Sequence, residues 1–339
     1  MSAEYATFGL APAMRAGGVL ANGDYQAHRD FVDFIVDGRP LLYQLSDLDA
    51  VSPLASDVPP AIFTAQVRSL LLEADAPLEG GRYVIYGCPE CEDLGCGAVT
   101  AAIERHGDDY VWRDFAWQTD EHADLERNGY HGIGPFLFHG EEYRAALGSL
   151  LTGTAGERRR VLLIGARAAV LAKLAAALRI IGIGAETAQD ATDISADELR
   201  TYGAVAFGRA VTEQERAAVR QSFDHAGADV AYVEGLAPIV PLLVAQIENA
   251  LDRSPQEQRR LTRLVAADGE AGVEVTSTCR VQLTAYRLDR LYRTHMYEVF
   301  DGVLEAGRHR LALDAKATKG ESFIVARTSG GVLVEAMVR

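Results

Sequence analysis

"VLLIGARAAVLAKLAAALRIIGIGAETAQD", residues 161–190, decides how the chain is built. "VLLIGA" is the short continuous apolar run of a strand buried on both faces, "AAVLAKLAAALRIIG" is an Ala/Leu-rich helix ending at Gly182, and "GAETAQD" reads as a second strand. Strands joined through a helix pair in parallel, with a right-handed crossover. The alternation continues downstream. "ADELRTYG" is a helix, "AVAFG" a strand, "TEQERAAVRQSFDHAG" a helix capped by Thr212, "DVAYVEG" a strand and "PIVPLLVAQIENALD" a helix. Four β-α units predict a doubly wound, Rossmann-like α/β domain over residues 158–254.

On either side the period changes. From residue 256 to 339 the helical spacing gives way to seven short runs, from "RRLTRLVAA" to "VLVEAMV", separated by turn signals such as "TKGE" and "SGG". Short strands at this spacing predict an all-β sandwich. Upstream, residues 1–152 predict an α+β domain, and "LTGTAGERRR" (151–160) reads as the linker that ends it. Within that domain "DFVDFIVDGRPLLYQL" reads as a hairpin turned at Asp37 and Gly38. "PPAIFTAQVRSLLLEAD" reads as a helix with Ile62, Val67, Leu70 and Leu71 near one face, and "GAVTAAIERHGDDYVWRDFAWQ" as a hairpin turned near Gly107. "GEEYRAALGSLL" should close the domain as a helix. In the second strand of the later hairpin, alternation places Trp112 and the residues two apart from it on a core face. The chain is thus expected to be multidomain.

The net charge of −15 is confined to one end. Residues 1–150 carry 9 Arg, no Lys and 24 acids, whereas the remainder is balanced. An acidic field repels phosphate backbones, so no nucleic-acid partner is expected there. No apolar run reaches the length of a membrane span, and the first residues lack the pattern of a secretory leader, so the expectation is a cytoplasmic protein with no membrane partner.

The chemistry concentrates in "YGCPECEDLGCGA", residues 86–98, which holds three of the four cysteines. The spacing C-x2-C-x4-C lets thiolates from one tight loop reach one ion, and Gly87, Gly95 and Gly97 suit a knuckle whose amides point at sulfur. Cys88, Cys91 and Cys96 are therefore candidate zinc ligands, with a fourth to come from His122, His131, His139, Glu90, Asp93 or water. A redox pair, an iron-sulfur site and plain structural cysteines remain open alternatives. In the α/β domain, strand ends are where doubly wound sheets bind ligands, which singles out Gly165, Arg167, Gly208 and Arg209, with Gln189, Asp190, Glu234 and Gly235 on neighbouring ends, as candidates for a nucleotide-type cofactor. Neither G-x-G-x-x-G nor a P-loop is present.

Two resemblances add to this reading. The residues Cys88, Pro89, Glu90, Cys91, Asp93, Leu94, Gly95, Cys96, Gly97 and Ala98, with "VWRDFAWQTD" (111–120), resemble a group of small actinobacterial proteins with a CPECxDLGCGA core, labelled as oxidoreductases. The likeness spans residues 30–148 and implies a shared domain, with no mechanism attached to particular residues. "DGVLEAGRHRLALDA" (301–315) is similar to the last strands of immunoglobulin-like modules of flagellar hook-cap and cell-surface proteins, which implies a contact or assembly module. Together these features lead to the expectation of a cytoplasmic interaction or regulatory protein with a zinc-organised first domain and a protein partner or self-association through the domains behind it. The rival is a metal-dependent or redox enzyme using the cysteine loop, with a nucleotide cofactor on the middle domain.

Overall fold

The structure, a computed structural model, describes residues 4–20, 23–45, 48–55, 58–91, 93–152, 160–235, 237–267, 269–289 and 291–337. It is a mixed α/β, strand-rich protein with several sheets. Most of the expected linker, residues 153–159, lies outside the described residues. The chain divides into two compact units. The first comprises Met1–Arg15, Arg29–Ala155 and Arg253–Gln258, and the second Ala16–His28, Gly156–Asp252 and Arg259–Arg339. Beside the boundaries expected at 152, 158, 254 and 256, the second unit includes a piece that lies near the start of the chain, Ala16–His28. Local hydrophobic pattern cannot announce such an insertion, because its backbone partners are hundreds of residues away.

In the first unit, a five-stranded sheet runs in the order Tyr5–Ala6, Phe136–Phe138, Asp109–Gln118, Ala98–His106, Arg82–Gly87. A second, three-stranded sheet holds Phe8–Arg15, Arg29–Val36 and Arg39–Pro40. Asp37 and Gly38 turn as expected, both at positive φ, but only Arg39–Pro40 pairs after them, and Leu41–Gln44 is helical. The long partner is instead Phe8–Arg15, antiparallel from Phe8↔Val36 to Arg15↔Arg29. Pro12 within it lacks an amide donor, which an edge strand tolerates. The helix Pro60–Leu70 buries Val67 and Leu70 and packs Phe63 behind them, while Ile62 is 51% exposed. Ile62 lies five residues before Val67, off the face that i, i+3 and i+4 neighbours share. In the second strand of the 98–118 hairpin, Asp114 takes a φ of 55° and the register shifts opposite, so Phe115 is buried along with Trp112. Strict alternation would have turned Phe115 outward.

In the second unit, four parallel strands run in the order Gly184–Ala188, Arg160–Ile164, Ala204–Phe207, Ala231–Glu234. Alternate residues face two cores: Val161 and Leu163 meet Leu174, Leu178, Val244 and Ile247, whereas Leu162 and Ile164 meet Leu199, Tyr202, Val219 and Phe223. Helices thus cover both faces, which is why the strands read as unbroken apolar runs. The strand earliest in sequence lies between the second and third, so the winding reverses between Ile164 and Phe207. The seven expected strands of the last segment form a three-stranded sheet (Leu261–Ala267, Glu270–Val275, Gly307–Ala312) and a four-stranded one (Thr294–Leu304, Cys279–Leu288, Glu321–Thr328, Gly331–Ala336).

The inserted piece is a small hairpin, Gly18–Val19 against Tyr25–Gln26. The Ala16 amide donates to the Ser329 carbonyl and the His28 amide to the Ile181 carbonyl, each at 2.8 Å. The fully buried His28 Nδ1 lies 3.3 Å from the Glu248 carboxylate, which Arg327 Nη1 approaches at 2.9 Å from the other side. One buried carboxylate therefore joins the hairpin, the helix Val240–Leu251 and the strand Glu321–Thr328.

Candidate functional site

The cysteine loop leaves the edge strand Arg82–Gly87 and enters Ala98–His106. Its entry is fixed on both sides. Gly87 exchanges backbone hydrogen bonds with Val51, and the buried Tyr86 hydroxyl donates to the Asp33 carboxylate. Within the loop, Leu94–Cys96 forms a 3-10 turn capped by Asp93, whose side chain accepts from the Gly95 amide at 2.8 Å. Of the three glycines expected to shape a knuckle, Gly97 is the one that needs to be glycine. It has a φ of 98°, and a β-carbon there would fall inside the Trp117 indole. Gly87 and Gly95 have ordinary backbone angles.

This path gathers the Sγ atoms of Cys88, Cys91 and Cys96 within 4.8 Å of one another, as a group able to hold a metal ion. Cys91 and Cys96 share a hydrogen bond at 3.1 Å and are exposed, while Cys88 is half-buried. Burial pushes the Cys88 thiol up, but the amides of Glu90 and Cys91 and the two neighbouring thiols outweigh it, and the net shift is downward. Cys96 is pushed up to about 11, chiefly by its hydrogen bond to Cys91 and then by the charge there. The loop thus stabilises one thiolate with backbone amides and leaves a second thiol protonated beside it.

Among the described residues, the group holds the three cysteines and no histidine or carboxylate. His122 pairs instead with Glu79 at 2.9 Å, both exposed. His131 is exposed in a turn, and His139 stacks on Tyr5 with ring centroids 3.6 Å apart. Glu90 is held by Arg15 Nη1 at 2.7 Å, and the same guanidinium, 6% exposed, grips Asp49 through Nε at 2.9 Å and Nη2 at 2.8 Å. Arg15 therefore ties the loop to residues 34 and 75 positions away, a role that nothing in its sequence surroundings signals. Cys279 is buried in the core of the second unit.

A second site lies at the winding reversal of the parallel sheet. Gly165, Arg167, Gly208 and Arg209 line one cavity of about 370 Å³ there. Sequence alone did not indicate its outer wall, Leu288 and Tyr292, which comes from the hairpin between Cys279–Leu288 and Thr294–Leu304. Of the other strand-end candidates, Gly235 lines this cavity and Gln189 an adjoining one. Asp190 caps the Thr192 amide, and Glu234 pairs with Arg216 and Arg220. Arg209 pairs with Glu321, whereas the Arg167 side chain makes no hydrogen bond or ion pair to the described residues.

Compared with protein-family models, curated proteins and solved structures, the chain matches none. Function therefore has to be argued from these two sites. Among the described residues, no helix is long and apolar enough to cross a membrane.

Proposed function

We propose that the chain is an interaction or regulatory protein whose first unit is organised by a zinc ion on Cys88, Cys91 and Cys96. The observation that carries this reading is the convergence of three Sγ atoms within 4.8 Å on a loop that aims amides at Cys88. Zinc–sulfur bonds of about 2.3 Å at tetrahedral angles set ligand sulfurs about 3.8 Å apart, a separation this group can adopt with small side-chain shifts. Amide-to-sulfur hydrogen bonds are the usual outer support of such a knuckle. Among the described residues, Glu90 and Asp93 are otherwise engaged and none joins the three sulfurs, and the exposure of Cys91 and Cys96 leaves room for a fourth ligand such as water. The likeness to the CPECxDLGCGA proteins, and a reducing cytoplasmic setting for exposed free thiols, belong to the same proposal.

The contact role rests on the second unit, which we take to combine a Rossmann-like sheet with an immunoglobulin-like sandwich. The strand Thr294–Leu304 is an edge, paired on one side with Cys279–Leu288, and it presents Met296 at 45% and Val303 at 59% exposure. A long edge with apolar side chains is a template for an added strand from a partner or a second copy. The experiment is metal analysis of the purified full chain beside Cys88→Ser. One zinc per chain, lost in the variant, with chelation destabilising the first unit, is the expected result. Absence of any bound metal in protein purified and reconstituted with zinc overturns it.

The second reading is a dithiol redox enzyme, favoured by the 3.1 Å approach of Cys91 to Cys96. Its mark is a disulfide between these two thiols that forms and is reduced reversibly in metal-free protein, detected by mass spectrometry of peptides.

A further inference from the structure

We infer that the cavity at the winding reversal of the second unit binds a medium-chain acyl anion, with its carboxylate at Arg167 and its chain inside. The inference is independent of the metal, since no residue of the cysteine loop takes part. The walls decide the ligand class. The strands contribute Leu163, Ala206 and Val233, and the flanking helices add Leu174, Leu243 and Ile247, all apolar. Of the described residues lining the cavity, Arg167, Arg209 and Tyr292 alone have polar side-chain atoms, and none is acidic. Buried polar atoms of a ligand need partners, and a nucleotide would bring ribose hydroxyls and base edges to wall side chains that, apart from the three at the mouth, offer none. The acidic side chain that commonly takes ribose hydroxyls in dinucleotide sites does not line this cavity, since Asp190, after the neighbouring strand, is outside its wall and caps the Thr192 amide. An aliphatic chain needs only the apolar wall.

The mouth supplies the charge. Arg167 and Arg209 follow the two strands between which the winding reverses, and both are exposed. Arg209 is already neutralised by Glu321, so among the described residues lining the cavity Arg167 is the cation left for an incoming carboxylate. Opposite it, the Asp289 carboxylate accepts from the amides of Leu291 and Arg293 at 2.8 and 2.9 Å and thereby shapes a turn in which Tyr292 has a φ of 59°. A bulky residue held in the left-handed region and 73% exposed gains nothing from packing, and its ring stands at the cavity rim. The volume of about 370 Å³ holds roughly a dozen groups at about 30 Å³ each, which corresponds to a chain of about eight to twelve carbons.

The test is isothermal titration of the full chain with butanoate, hexanoate, octanoate, decanoate and hexadecanoate. Affinity should rise roughly fourfold per added methylene up to the length that fills the cavity, and stop rising by hexadecanoate. Arg167→Gln should weaken octanoate binding about tenfold, and octanol should bind the native chain correspondingly weakly. Because Arg167 is exposed, that variant folds; Val170→Trp, which fills the cavity from the helix surface, should abolish binding, with thermal unfolding of both variants as the check on folding. The inference is overturned if octanoate and decanoate fail to bind at millimolar concentration. It is equally overturned if affinity ignores chain length, if octanoate binding is indifferent to Arg167→Gln, or if AMP or NADH binds as tightly as decanoate.

Discussion

Gly97 shows how much of the cysteine loop depends on one backbone angle. A β-carbon at this position meets both an unfavourable φ of 98° and the Trp117 ring, and neither can give way cheaply, because Trp117 sits on a strand paired with the loop's own exit. Gly97→Ala should therefore cost about 2–4 kcal/mol from left-handed strain plus overpacking, read as a lowered urea midpoint of the first unit. Arg15 acts through Glu90 rather than on sulfur. Arg15→Met leaves the three thiols in place but frees the carboxylate between two of them. With Asp49 and Glu90 no longer joined by one guanidinium, the loop loses its anchor to the strand Phe8–Arg15, and the urea midpoint of the first unit should fall by the equivalent of about 1–3 kcal/mol. The two residues also mark the limit of what sequence reveals. The cysteine spacing and the need for glycine are local and legible. The histidine ligands expected from proximity in sequence are not brought to the sulfurs, and the arginine that positions the loop comes from a strand whose pairing no local pattern declared.

Elements were legible where a single period ran long enough to be unambiguous. The helix Glu213–Ala226 carries every expected signal, including Thr212 and Glu215 in a reciprocal capping box and Gly227 in the left-handed conformation after it. The parallel strands were likewise visible, since burial on both faces leaves a continuous apolar run. The strand Phe8–Arg15 was not, because Pro12 and alternating small residues weaken its pattern, and its stability comes from pairing with Arg29–Val36. Helix positions depend on similar long-range partners. Tyr143, fully buried on the helix Gly140–Thr152, donates to the Leu70 carbonyl at 2.9 Å and accepts from Trp112 Nε1 at 3.1 Å. One hydroxyl thus joins two helices to the central sheet. Tyr143→Phe keeps the ring stacking on Tyr110 but leaves a buried indole N–H and a helix-end carbonyl without this partner. Equilibrium denaturation should show a loss of about 1–3 kcal/mol, where a ring-preserving change would otherwise be nearly neutral.

At the scale of the whole chain, the sequence order of segments and their grouping in space diverge, and Glu248 is where this has energetic consequences. Burial alone would raise its pKa, yet Arg327 and His28 outweigh burial and hold the carboxyl below its ordinary value. A depressed folded-state pKa stabilises the fold above the unfolded value, near pH 4.3, and that stabilisation is lost as pH falls through the lower folded value. Acid unfolding of the second unit should therefore steepen below about pH 4.3, and Glu248→Gln should flatten that slope. At neutral pH the same variant leaves Arg327 and His28 facing a neutral amide, at a cost of about 3–5 kcal/mol. Since His28 lies 220 positions before Glu248, the second unit cannot be cut out as a contiguous piece. A fragment of residues 156–339 contains the three-stranded and four-stranded sheets of the last segment and the whole parallel sheet, but it lacks the hairpin whose amides bond to Ile181 and Ser329. It should unfold at a lower urea concentration than the second unit does within the full chain. Fusing residues 16–28 ahead of residue 156 through a flexible glycine-serine linker should recover most of the difference, and the same fusion carrying His28→Ala should recover less. Equal midpoints for the bare fragment and the full chain would show that the inserted hairpin is an ornament rather than part of the core.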